Sequence, residues 1–295
     1  MRGDVRPIIV VALGLVAVVA IIAGMRLVLP GVVRQNEQRL LGANYERVEA
    51  ERREVWAPRQ SKLAGWLARW FGEFTRALYR TYGRELRLKQ VEDKIVVRVF
   101  ATQPELVRFA RKRMRQDLSH AGGFYDPVSW SIALTLLPRE RLLPLLFHEA
   151  THLVMDRSAL AGPPEWSTWL AEGMAVYFEH SSVRGDRVVL GGLDRRVAGQ
   201  VVALAASGRH IPLRRLVGEG REVFRGPQAP LAYQEAGLLV AYLMGSPKRR
   251  DGFLRYYLAE QKPGPVPLGA LESCLEVSLD ELEKEWLAWL KGAGR

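Results

Sequence analysis

The chain has 295 residues, 48% apolar and 25% charged, a composition that leaves room for a large core and excludes a disordered chain. Its single cysteine, Cys274, excludes an internal disulfide and any cysteine-rich metal finger. The net charge of +11 comes mostly from arginine. The densest basic run, "RFARKRMRQ" (Arg108–Gln116), carries no nucleic-acid motif and reads as a solvated helix face, so no nucleic-acid partner is expected.

Residues 1–6 form a short basic flank containing Arg2 and Arg6. Residues 7–29 follow as an apolar segment, and the uninterrupted stretch Ile8–Met25 is 18 residues long. A helix of that length just crosses a ~30 Å hydrocarbon layer. The apolar region of a signal peptide is shorter, roughly 7–15 residues, and ends at a small-x-small site; "AIIAGMR" offers none. The segment is therefore expected to be an uncleaved transmembrane anchor, and the membrane a partner through it. The expected placement is single-pass, with a cytoplasmic N-terminus and the large C-terminal part outside.

Residues 30–57 are expected to form a helical stalk or linker, since "QNEQRLLGANYERVEAERR" is charged and rich in helix formers. Pro58 interrupts it, and one domain is expected over 58–295. In "KLAGWLARWFGEFTRALYRTYG", Leu63, Trp66, Leu67, Trp70, Phe71, Phe74, Leu78 and Tyr79 recur at helical spacing, which predicts a helix packed on the core. "KIVVRVFA" (Lys94–Ala101) predicts a strand, Pro104–Leu118 a helix, and "SWSIALTLL" (Ser129–Leu137) a second strand. Gly122-Gly123 and Asp126-Pro127 mark a turn-rich segment between the last two. Pro144 fits the first turn of a helix running to about Asp156. A second helix is expected over "WSTWLAEGMAVYFEH", then helices near 195–207, 231–244, 248–259 and 279–290. Few strands and many helices make this α+β, predominantly helical.

Two of the five histidines lie four residues apart in "LFHEATHLVMD". On a helix His148 and His152 are separated by about 40° around the axis and one turn along it, so both imidazoles can hold one ion. Glu149 lies about 100° round, beside the pair, where its carboxylate can act on a water rather than on the ion. A catalytic site needs a third protein ligand. No histidine follows closely, but Glu165, Glu172 and Glu179 do. Asp156, one turn past His152, is either a carboxylate that orients that ring or a solvated helix-end residue. His120, His180 and His210 read as turn, helix-end and loop histidines, and Tyr177 and Trp169 as core.

"HEATH", 19 intervening residues and then Glu172 within "WLAEGMAVYFE" resemble the gluzincin zinc metallopeptidases, the thermolysin-like and aminopeptidase group. The "GGFYDP" turn, the next strand and "AYQEAG" resemble peptidase-MA-like domains. The resemblance spans roughly Lys94–Met244. It implies a zincin-like domain with a small sheet and a peptide or protein substrate. It implies Zn²⁺ on His148, His152 and Glu172, with Glu165 the rival third ligand, and Glu149 as general base. It also implies Tyr233 as the donor to the developing oxyanion, with His210 as an alternative. In the family the strand before the first ligand helix is a substrate-binding edge strand, here Ser129–Leu137. The glycine-rich recognition strand of the aminopeptidases is missing, so an endopeptidase is expected. A reading of a different class is a non-catalytic envelope binding or scaffolding module of the same fold. Glu149 argues against it, because a structural ion does not need that carboxylate.

Overall fold

The structure, a computed structural model, describes residues 44–91, 94–114, 121–159, 165–264, 266–267 and 269–293. It is an α+β arrangement dominated by helix around a small mixed sheet. The strands are β1 (Tyr45–Ala50), β2 (Arg53–Pro58), β3 (Ile95–Phe100), β4 (Gly123–Asp126) and β5 (Ser131–Thr135). Their order is β1-β2-β3-β5-β4, with β2, β3 and β5 parallel and the outer pairs β1/β2 and β4/β5 antiparallel. Two of these placements correct the sequence reading. The Ser129–Leu137 strand is not an edge: β5 is flanked on both sides, and the edge is β4. Residues 45–58 are a hairpin rather than a helical stalk.

The hairpin turns on Glu51 and Arg52, with Glu51 at φ 52°. Within β1, Glu46, Val48 and Ala50 are half-buried while Arg47 and Glu49 are exposed, the two-residue period of a strand. Glu49 and Glu54 face each other in register, a like-charge pair that alone opposes pairing. Arg47 and Lys94 each bridge both carboxylates, at 2.6–2.9 Å. Burial would raise the Glu54 carboxyl, but hydrogen bonds from Arg47, Lys94 and Trp56 outweigh it and hold it at about 2. The helix formers of this segment are thus overridden by cross-strand charge pairing that local propensity does not register.

The helices are α1 (Ala64–Tyr82), α2 (Gln103–Met114), α3 (Arg139–Arg157), α4 (Thr168–Glu179) and α5 (Arg195–Ala206). They continue with α6 (Leu213–Gly218), α7 (Ala229–Gly245), α8 (Arg250–Glu260), α9 (Ala270–Leu275) and α10 (Leu279–Ala293). A small hairpin, β6 (Ser182–Arg184) with β7 (Arg187–Val189), follows α4. The short elements β6, β7, α6 and α9 lie outside the sequence expectations, being too brief to show a period. Helix α2 covers one face of the sheet through Leu106 and Ala110, which pack on Phe100, Phe124 and Ala133. All the other helices except α2 contribute to a single larger core. Strand β3 is therefore buried along its whole length, consistent with its unbroken apolar and β-branched character.

The expected aromatic stripe is the buried face of α1, with Leu67, Phe71 and Phe74 fully buried. Glu46 of β1 accepts the Ala64 N–H at 3.1 Å and so caps this helix from the sheet. Helix α3 begins at Arg139, more than a turn before Pro144, which lies inside it. The Glu140 carbonyl, which loses its helical donor to Pro144, sits on an exposed turn where water can satisfy it.

The expected single-pass membrane placement is corrected here: no helix among the described residues is long and apolar enough to cross a membrane. The segment expected to span, residues 7–29, the basic flank and the first part of the stalk lie outside the described residues.

Candidate metal centre

Helix α3 buries Leu146, Phe147, Ala150, Leu153 and Val154 completely, and this face fixes its rotation. His148 and His152 then project from one side toward α4, which buries Trp169, Leu170, Met174 and Phe178 against the same core. Phe74 of α1 lies between the two helices. It stacks on Phe147 with centroids 4.4 Å apart and meets Phe178 edge-on at 6.4 Å. Each of these partner rings is next in the chain to a residue of the site. The N-terminus of α4 is held by Glu260 of α8, which accepts the Ser167 N–H and hydroxyl at 2.7 Å each.

The result is a compact triangle. His148 Nε2 and His152 Nε2 are 3.3 Å apart, and Glu172 Oε2 is 3.4 Å from each. Edges of a tetrahedron are about 1.6 times its centre-to-corner distance. An ion held ~2.0–2.1 Å from nitrogen and oxygen donors therefore needs donors roughly 3.3–3.4 Å apart. The three atoms match one face of that figure, which leaves the fourth corner free. Among the described residues these are the three that converge closely enough to share an ion. Glu165, the rival third ligand, is exposed and outside the cluster.

The electrostatics favour positive charge at this point. Burial alone would lower the His148 imidazole, but the Glu172 and Glu179 carboxylates dominate and push it up to about 10. Burial would raise Glu172, and the two histidines overcome it and hold the carboxyl well below the usual range. A divalent cation at this point would replace this proton with a larger charge held by the same groups.

Glu179 has a role the sequence did not assign. It lies seven residues past Glu172 on the same face of α4 and meets His148 Nδ1 at 3.0 Å. That contact orients the ring and turns Nε2 toward the cluster. The i, i+7 spacing of the two glutamates was the available signal. Asp156 does not pair with His152; it accepts the Trp166 indole N–H at 3.1 Å.

Glu149 is buried, beside the cluster but not part of it. Burial raises its carboxyl, while His148 and His152 pull it down and the Tyr125 backbone N–H on β4 also favours the charged form. The net effect is to raise the carboxyl. Strand β4, the edge strand among the described residues, packs against α3, the helix that carries Glu149. Tyr233 comes from α7, which packs tightly along α4. Burial, then Glu172 and Glu149, push its hydroxyl up, so it keeps its proton, and its ring packs edge-on to Phe224.

The other sequence candidates lie elsewhere. His210 pairs with Glu283 at 3.1 Å. His180 is exposed at the end of α4, Trp169 is core, and Tyr177 packs edge-on to Phe178. His120 is outside the described residues.

No protein-family model matches the chain. No curated protein matches it either.

Proposed function

We propose that the chain is a zinc-dependent peptidase of the gluzincin type, acting as an endopeptidase on peptide or protein substrates. The observation that carries this reading is the triangle of His148, His152 and Glu172, with a buried carboxylate, Glu149, directly beside it. A zinc ion on those three donors would supply Lewis acidity and bring the pKa of a bound water toward about 7. Glu149 takes the proton of the attacking water and returns it to the leaving amine. Tyr233 donates its hydroxyl hydrogen to the oxygen that gains charge as the carbonyl becomes tetrahedral. Glu179 keeps His148 from turning. An extended substrate adds to the free edge at β4, where backbone pairing gives grip with little sequence preference.

Metal analysis of the purified chain tests the reading directly. The expected result is close to one zinc per chain, lost in His148→Ala. Glu149→Gln is expected to keep the metal and lose hydrolysis of a protein substrate by about 10²–10⁴-fold or more. Wild-type protein that takes up no zinc, or a Glu149→Gln variant as active as wild type, would overturn it.

A further inference from the structure

Strand β1 closes one end of the sheet and, among the described residues, pairs on one side only. Its register with β2 decides which backbone groups face away. The Arg59 N–H reaches the Asn44 carbonyl at 2.8 Å, so the position one step beyond Tyr45–Pro58 is a hydrogen-bonded one. Antiparallel partners alternate between hydrogen-bonded and non-hydrogen-bonded pairs. Glu46, Val48 and Ala50 therefore turn their N–H and C=O groups inward to β2, and Tyr45, Arg47 and Glu49 turn theirs outward. The Arg59 guanidinium covers the Tyr45 carbonyl at 3.3 Å, so the open stretch is Arg47–Glu49.

An open edge accepts another strand unless its side chains forbid it, and like charges placed opposite each other do so. The side chains of Arg47 and Glu49 are 40% and 50% exposed and share one face of the sheet. They are already fixed in place: Arg47 bonds Glu49 and Glu54 at 2.9 Å each and lies 5.7 Å from the Trp56 ring centroid, and Lys94 holds Glu49 at 2.6 Å. A second β1, antiparallel to the first, must set outward-facing residues opposite outward-facing ones. Centred on Arg47 or on Glu49, it sets like charges against each other. Centred on Val48, it sets each Arg47 against a Glu49, twice by symmetry. The two Val48 residues then form the non-hydrogen-bonded pair between two hydrogen-bonded ones.

We propose that β1 is a self-association edge: it pairs antiparallel with β1 of a second copy of this chain about a two-fold axis at Val48. The partner is another copy because the sequence Arg47-Val48-Glu49 is its own charge complement, and an interface of this symmetry uses one patch twice. The two five-stranded sheets join into one, with β4 left free at each outer end. The edge proposed for substrate is therefore not consumed, and the pairing does not depend on the peptidase reading.

Sedimentation velocity of the full chain over a range of concentrations is expected to show one chain passing into two. Arg47→Glu and Glu49→Arg each set like charges opposite, and each alone should weaken association at least about 10-fold. Mixed in equal amounts, the two variants should recover at least about 10-fold over either alone, because the acidic strand of one then faces the basic strand of the other. In a Cys274→Ser background, Val48→Cys should give a disulfide-linked dimer under mild oxidation, since a non-hydrogen-bonded pair brings its Cα atoms to about 4.5 Å. A wild type that stays a single chain overturns the proposal, as does a dimer that neither charge variant weakens. So do two variants that are folded by circular dichroism yet ignore each other when mixed. If either fails to fold, the Val48→Cys chain decides, and its failure to cross-link overturns the proposal.

Discussion

Gly173 stands between the proposed metal ligand Glu172 and the helix that carries Tyr233, and replacing it with alanine tests how packing sets the site. A Cβ there would lie 2.8 Å from the Ala236 carbonyl oxygen and 2.9 Å from Val240 Cγ2. The valine can rotate, but the carbonyl belongs to the backbone of α7 and cannot. Ordinary contact begins near 3.4 Å, so α4 and α7 must separate by 3.4 − 2.8 = 0.6 Å. The strain of such overpacking is about 1–3 kcal/mol, and alanine returns up to ~1 kcal/mol in helix propensity. A net loss of about 1 kcal/mol lowers Tm by roughly 2–4 °C in a protein of this size. The displacement passes to the adjacent residue. A Glu172 oxygen moved by that amount takes a ~2.1 Å ligand distance well beyond the ±0.2 Å that a bound ion tolerates. Zinc affinity, measured by competition with a chelator, is expected to fall at least about 10-fold, with the Tm loss read on chelator-treated protein. Gly199→Ala in α5 is the control, since nothing lies within 4 Å of its added carbon; it is expected to gain about 0.5–1 kcal/mol. Unchanged zinc affinity together with an unchanged or higher Tm in Gly173→Ala would refute the packing argument.

Glu179→Gln leaves the three ligands in place but weakens the acceptor on His148 Nδ1. Zinc affinity by chelator competition should drop about 10–100-fold while the fold is kept, and an unchanged affinity would remove Glu179 from the site. Glu235 of α7 is fully buried and, among the described residues, accepts only the Ile211 N–H, at 3.1 and 3.3 Å. Burial, helped by Glu283 and partly relieved by that N–H, pushes its carboxyl up to about 8 from 4.5. The folded state therefore binds this proton more tightly than the unfolded state does. The stability it confers is complete below about pH 4.5 and is lost as pH rises to 8, by at most roughly 5 kcal/mol. Glu235→Gln should gain on the wild type progressively from pH 5 to pH 8.5 in urea unfolding. A constant difference across that range would show that the carboxyl does not titrate as argued.

The parts of the fold legible in the sequence were those with a long helical period. In the stripe of α1, Leu63, Leu67, Trp70, Phe71, Phe74 and Leu78 are buried, and Trp66 and Tyr79 are half-buried. The β1/β2 hairpin was not legible, because its stability comes from Arg47 and Lys94 reaching across strands to Glu49 and Glu54, while each residue alone favours a helix. Strand order was equally hidden. Nothing in "GFYD" marks it as the edge that encloses its longer neighbour β5, since that is a property of pairing partners distant in the chain. Of the site, the convergence of His148 and His152 followed from their four-residue spacing on one helix, whereas Glu172 was singled out from Glu165 and Glu179 by the resemblance and not by spacing. The Glu179 contact depends on how α4 is rolled against α3, and only packing decides that.

The aromatic wedge of Phe74 between Phe147 and Phe178 has a consequence for how an ion enters. Small zinc domains collapse around their metal and come apart when it is withdrawn. Here the two helices that carry the proposed ligands are held at their spacing by rings in a closed interior, so the fold and not an ion sets the geometry of the three donors. On the zinc reading, the polypeptide would finish folding empty, take up its cation afterwards, surrender it to a chelator and accept another without passing through an unravelled state.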